Sequence, residues 1–344
     1  MQGKSRNTIL FTLLGICLLL LFMLNISLGS VEIPLEDVVK SLTGGEASKS
    51  TWQYIITNYR LPKAITAVIV GMGLSVSGLL MQTLFRNPLA GPYVLGLSSG
   101  ASLGVAFVIL GAGILPIAIS GLFLSAYGIV IASTLGSLIV LLAVLVVAQR
   151  LRDTMAILIV GLMFGSFTGA IVGVLTYFST AEQLQKYTFW SLGSLGNLPW
   201  DNIVILAVIC LLGLLLSALC IKPLNALLLG ERYAKSMGIN FARTRFIIIM
   251  ATSLLAGSIT AFAGPIAFVG LAVPHMAKLV FSTSNHLTLF WATLLTGAII
   301  LLLCDTLTQL PGSNFTLPIN AITSIVGAPV VIWLLLRRRK GVYN

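Results

Sequence analysis

Long apolar runs follow one another along this chain, at about 8–29, 61–84, 93–112, 115–148, 154–178, 201–221, 245–263, 266–281, 288–310 and 317–336. A helix needs about 20 apolar residues to cross a hydrocarbon core, and most of these runs supply them. Backbone in lipid must satisfy its own polar groups, which leaves helices or closed barrels. A barrel would alternate polar and apolar residues over short segments, and that alternation does not occur. The expected fold is an all-α integral membrane bundle, compact, with about ten transmembrane helices. Of the 344 residues only 8% are charged, against about a quarter in soluble domains. No Ser- or Pro-rich linker interrupts the chain, so residues 1–344 read as one domain. Ile9–Leu28 reads as an uncleaved span, since no small-x-small cleavage pattern follows it. The fourth run is too long for one crossing, and Leu115–Leu122 reads as a connection or interfacial piece. The eighth, broken by Pro274, reads as tilted or packed inside the bundle.

Charge sets the orientation. With the N-terminus inside and spans alternating, Lys40, Lys49, Arg60, Lys63 and Lys186 fall outside and the other fifteen of the twenty basic residues fall inside. The positive-inside rule therefore places both termini in the cytoplasm. The net charge of +11 is mostly this topology signal, and nucleic acid is not an expected partner. The outer segments 30–60 and 179–200 exceed simple turns, and Trp190 and Trp200 fit an interfacial belt.

Glycines recur every four residues at Gly161, Gly165, Gly169 and Gly173, and again at Gly96, Gly100 and Gly104. Such rows let another backbone approach closely. Gly165, Ser166, Thr168 and Gly169 thus serve either plain helix packing or the lining of a wide pathway. "GPYVLGL" at 91–97 and "GPIAFVGL" at 264–271 form a weak internal echo of the kind an inverted repeat leaves.

Chemistry is sparse. Asp305 is the only acid well inside a run, too little for a proton relay. "TGGEASKST" at 43–51 fails as a phosphate loop, because Ser48 and not glycine precedes Lys49. Cys17, Cys210, Cys220 and Cys304 form no C-x-x-C pair and read as small apolar residues. No metal-ligand cluster, cofactor motif or catalytic constellation stands out, so the chain is not expected to be an enzyme. It reads as a pathway whose energy comes from a gradient or from a partner.

One segment breaks the apolar pattern: "LNALLLGERYAKSMGINFARTR", Leu224–Arg245, inside a cytoplasmic stretch of about 222–245. Leu224, Leu227 and Leu228 have helical spacing, Gly230 breaks the helix, Glu231–Met237 supports a second one, and Gly238 stops it. The pattern predicts two short helices joined at a glycine, either an interfacial loop or a handle for a cytoplasmic protein.

The string "LLLGERYAKSMGI" resembles the coupling loop of permease subunits of iron-siderophore and vitamin B12 ABC importers. "YRLPKAITAVIVGMGLSVSGLLMQTLFRNPLAGPYVLGLSSGASLG" at 59–104, "GPIAFVGLAVPHMAKLV" at 264–280 and "LPINAITSIVGAPVVIWLLLRRR" at 317–339 resemble further blocks of that family, in order. The resemblance implies a type II ABC importer permease in a bacterial cytoplasmic (inner) membrane. Its partners would be a second permease copy or related chain, two cytoplasmic ATPase subunits and an extracytoplasmic substrate-binding protein. The cargo would be a metal chelate, an iron(III)-siderophore first, with cobalamin or haem as the alternative. A gradient-driven secondary transporter is the rival of another class. Leu228, Gly230, Glu231, Ala234 and Gly238 are implied to touch the ATPase, with Arg232 and Lys235 adding charge pairs. Arg60 and Lys63 match basic positions that meet acidic knobs on the binding protein, or else only anchor their span at the interface. A third such position is usually basic and is Gln309 in this chain.

Overall fold

The computed structural model describes residues 2–111, 124–150, 154–196, 198–309 and 316–339. Among these residues the fold is helical, with one isolated bridge between Gln309 and Thr316 as its extended pairing. The helices are α1 Gln2–Ser27, α2 Leu35–Leu42, α3 Ser50–Ile55, α4 Leu61–Leu84, α5 Leu97–Ile109, α6 Ala126–Arg150, α7 Thr154–Tyr177, α8 Ala181–Ser191, α9 Trp200–Leu219, α10 Ile221–Leu227, α11 Glu231–Ser236, α12 Phe241–Ala263, α13 Val269–Phe281, α14 His286–Thr308 and α15 Ile319–Arg339. Among the described residues, seven helical segments are long and apolar enough to cross a membrane, and three shorter apolar helices accompany them.

Several boundaries differ from those expected, each for a local reason. The second span does not begin at 61: α3 runs through a π-helical turn, Ile56–Arg60, into α4, giving one helical segment from Ser50 to Leu84. At 1.5 Å per residue that exceeds a bilayer core, so its first turns lie beyond the apolar layer. The third run is not one helix. Pro92–Leu95 forms a 3₁₀ turn, and α5 spans 13 residues, about 20 Å. The seventh begins earlier because the Asn240 side chain accepts from the Arg243 N–H at 3.0 Å and caps α12. The segment after 179 holds α8, opened by a Thr180–Gln183 capping box that the sequence reading passed over. Leu115–Leu122 lies outside the described residues.

The chain divides into two compact units: Met1–Leu79, Ser194–Ala207 and Ile266–Asn344 form the first, and Leu80–Gly193 and Val208–Pro265 the second. In the first, backbones meet at glycines. A Cβ at Gly78 would overlap the Gly270 carbonyl, and one at Gly71 would overlap that of Gly297. Arg6 donates to the Phe281 carbonyl at 2.8 Å, capping the end of α13, and the Phe11 and Phe281 rings lie 4.7 Å apart. Ahead of α3, Asp37 accepts two 2.7 Å hydrogen bonds, from the Ser48 N–H and hydroxyl. These hold its carboxyl below the ordinary value.

In the second unit the expected glycine row of α5 packs on α6. A Cβ at Gly100 would come within 2.6 Å of the Gly136 carbonyl, and one at Gly104 would overlap Ala132. A Cβ at Gly96, itself at φ +75°, would come within 2.9 Å of the Gly161 carbonyl of α7. The α7 row engages only partly, since a Cβ at Gly169 or Gly173 would meet nothing within 4 Å.

The two Gly-Pro strings adopt one local design. Each leads through a left-handed residue, Gly96 (φ 75°) or Phe268 (φ 66°), into a helix of 13 residues. Phenylalanine rarely takes this conformation. Here the Phe268 side chain lies directly over Gly327, and the neighbouring Ala267 N–H donates to Asn320 Oδ1 at 3.0 Å.

Gly78→Leu is expected to abolish a monodisperse fold, and Gly78→Ala to cost about 3 kcal/mol. Gly173→Ala is expected to leave thermal stability unchanged in detergent. Asp37→Asn should raise protease cleavage between α2 and α3 several-fold at neutral pH. Because the Asp37 carboxyl is lowered, its contribution is complete above the ordinary carboxylate range. It is lost as pH falls through the lowered value, and only there should the native chain show the same cleavage.

Candidate functional site

The loop between α9 and α12 folds as the glycine pattern predicts. After α10, Gly230 sits at φ 110°, ψ 151°, a region essentially closed to residues with a Cβ. It redirects the chain into α11. At the far end Gly238 (φ 81°) donates to the Lys235 carbonyl at 3.0 Å, and Ile239 donates to that of Ala234 at 3.1 Å. That pair of bonds is a Schellman closure.

The two short helices have distinct sides. Leu224, Leu227 and Ala234 are buried, in one cluster with Leu84, Phe85, Ala90 and Leu95. Ala234 is only 1% exposed, so it lies on the inner side, away from any surface a partner could touch. Leu228, Leu229, Tyr233 and Met237 are exposed, as is Lys235. Glu231 and Arg232 occupy the first turn of α11, and their side chains lie outside the described ones. The sequence reading favoured glycines and charges and missed Leu229, Tyr233 and Met237. Apolar residues inside the one polar segment were the available signal.

Arg60 and Lys63 both have partners within the first unit. Arg60 Nη1 donates to the carbonyls of Ile26 and Ser27, each at 2.7 Å, and Nη2 donates to that of Val31. The guanidinium thus satisfies the last carbonyls of α1, which have no partner inside their own helix. Lys63 Nζ lies 3.0 Å from Asp305 Oδ1. The other carboxylate oxygen accepts from Asn25 Nδ2 at 2.9 Å and Gln309 Nε2 at 3.2 Å. Asp305 is 1% exposed, so a buried carboxylate meets one cation and two neutral donors. Gln309 keeps that balance at one charge of each sign, where a basic residue would add a second cation.

The four α7 residues separate. Gly165 faces Ser99, with a Cβ expected 3.4 Å from its hydroxyl. Thr168 is buried and donates to the Phe164 and Gly165 carbonyls. Ser166 and Gly169 face outward beside Met163 and Phe167. The second unit also holds a cavity of about 220 Å³ bordered by Leu97, Ser137, Met250, Ser253, Gly257 and Ser258. Its hydroxyls donate to main-chain carbonyls, which leaves an apolar lining. Among the described residues no group of three His, Cys, Asp or Glu is placed to hold a metal ion.

Lys63→Met strands a buried carboxylate and is expected to cost about 3–5 kcal/mol. Lys63→Met combined with Asp305→Leu is expected to recover most of that loss. Denaturation curves of both variants in the same detergent give the comparison.

The FecCD transport family matches residues 17–337. The Hemin transport system permease protein HmuU of Yersinia pestis is 33% identical over 341 residues, covering 99% of each chain. The Vitamin B12 import system permease protein BtuC of Klebsiella pneumoniae is 36% identical, over 98% of this chain and 96% of that one. A solved metal-chelate type ABC transporter in an inward-facing conformation superposes with a TM-score of 0.83 at 27% identity, over 95% of this chain and 99% of that one. The chain belongs to the FecCD transport family, the importer permeases that its sequence blocks resemble.

Proposed function

We propose that this chain is the membrane-spanning permease subunit of an ABC importer that carries a metal chelate across a bacterial cytoplasmic membrane. Both termini and the 221–238 loop face the cytoplasm. Two ATPase subunits grip that loop, and a second permease copy completes the pathway. The supporting observation is the loop itself: two short helices set by Gly230 and Gly238, with Leu228, Leu229, Tyr233 and Met237 exposed. Such an apolar, rigidly framed surface suits an interface between proteins.

An extracytoplasmic binding protein delivers the cargo. In this reading Lys63 attracts its acidic groups while still paired with Asp305, and Arg60 shapes the surface by holding the α1–α2 turn. Gly165, Ser166, Thr168 and Gly169 belong to the pathway helix, with Ser166 and Gly169 toward the cargo. The cargo reading ranks an iron(III)-siderophore first. The second reading is a tetrapyrrole, haem or cobalamin, favoured by the relatives that carry hemin and vitamin B12.

Purification from mild detergent tests the assembly. An ATPase is expected to accompany the native chain and to be lost with Gly230→Trp, whose side chain is strained at φ 110° and projects from the loop. Failure of any ATPase to accompany the folded native chain would favour a gradient-driven carrier. Uptake of a ferric hydroxamate, haemin and cyanocobalamin into proteoliposomes holding the complex then ranks the cargo readings.

A further inference from the structure

The corner that follows α4 carries an unusual residue. Arg86 sits at φ 47°, where a residue with a Cβ is sterically disfavoured. The Arg86 N–H donates to the Thr83 carbonyl at 3.3 Å, and the Asn87 N–H to that of Gln82 at 3.2 Å. These are the bonds of a Schellman closure, and Arg86 holds the position normally given to glycine. Glycine would make this turn without strain, so the backbone does not call for an arginine. The side chain has its own engagement: Nη2 donates to the Leu227 carbonyl at 3.2 Å. Leu227 is the last residue of α10, and its carbonyl also accepts from the Gly230 N–H at 3.1 Å, so the guanidinium shares an acceptor with the glycine that leads into α11. The apolar contacts run the same way. Phe85 and Ala90, on either side of the corner, share a buried cluster with Leu224, Leu227 and Ala234 of the loop.

We propose that Arg86 is a positioning residue that carries movement of the 221–238 loop into the corner between α4 and α5. The proposal rests on the reading of that loop as the ATPase grip. Burial makes loop and corner move as one body, and the guanidinium fixes the direction by tying the end of α10 to the end of α4. The chain accepts a strained turn so that this cation stands at that spot.

Arg86→Gly separates transmission from folding, because it removes the guanidinium and relieves the backbone. The full chain is reconstituted with its ATPase, and native, Arg86→Gly and Arg86→Lys complexes are compared. Four quantities are measured: ATPase copurification, thermal midpoint, ATP hydrolysis, and uptake of whichever of ferric hydroxamate, haemin or cyanocobalamin the native complex takes up. Arg86→Gly is expected to keep the ATPase, an equal or higher midpoint and continued hydrolysis, while uptake per ATP falls about tenfold. Arg86→Lys, with an ammonium that reaches the same carbonyl, is expected to fall between. Uptake by Arg86→Gly close to native would overturn the proposal. A lowered midpoint would also overturn it, making the arginine a folding element, as would loss of the ATPase, making it a docking contact. A native chain that binds no ATPase would instead defeat the proposed function, and this inference with it.

Discussion

Lipid gives one apolar helix no reason to leave it for another, so this structure depends on how closely helix backbones meet. Close meetings occur where at least one partner has no side chain: Gly78 on Gly270, Gly104 on Ala132, Gly100 on Gly136, and Gly71 on Gly297. Such contacts collect dispersion and Cα–H interactions that a bulkier surface cannot reach. They also account for the two short helices. α5 and α13 are too short to cross a bilayer, and each is preceded by irregular backbone. Irregular backbone at membrane depth survives only where protein covers it and its polar groups find partners. The Gly96 N–H bonds to the Tyr93 carbonyl, and the Ala267 N–H to Asn320.

Polar groups add a second, local kind of order. Burying a carboxylate is costly unless polar partners meet it, and Lys63, Asn25 and Gln309 meet that of Asp305 from three elements. The cluster therefore fixes α1, α4 and α14 to one another at a single point. Arg60 fixes the turn that follows α1 by gathering three carbonyls onto one guanidinium. That geometry matters for any docking role. A cation already bound to internal oxygens offers an outside partner less charge than its sequence position suggests. Lys63 has only one ionic partner to exchange, whereas Arg60 would have to uncap a helix.

Hydropathy made the helical bundle legible, because the period and length of apolar runs report directly on burial in lipid. The loop was equally legible, since Gly230 and Gly238 occupy backbone conformations that few other residues tolerate. The glycine rows announced close packing but not its partners. The α5 row met Gly136 and Ala132 of α6, and half of the α7 row met nothing among the described residues. Spacing shows which face of a helix is smooth and says nothing about what lies opposite. For the same reason Ala234 read as an exposed contact, and only its packing with Leu224 and Leu227 reveals the inner side. Arg86 left no trace in composition or periodicity, because its meaning lies in a backbone angle and a partner 141 residues away.

Under the proposed function, a partner's movement has to enter the chain through the 221–238 loop. A lever works only if it does not yield between the point of force and the point of motion. Close-packed interiors have low compressibility, so in the proposed coupling a loop whose inner side belongs to the same cluster as the α4–α5 corner would transmit displacement instead of absorbing it. The glycines at either end of α11 bear no load by contact. Gly230 and Gly238 have open space around them and act by fixing direction. Compliance must then lie elsewhere, in surfaces with no partner among the described residues. The outward face of α7, with Gly169, Gly173, Met163 and Phe167, has that character: it is apolar and exposed among the described residues. A stiff handle joined to a helix with an exposed apolar face is the division of labour that the proposed partner-driven pathway requires.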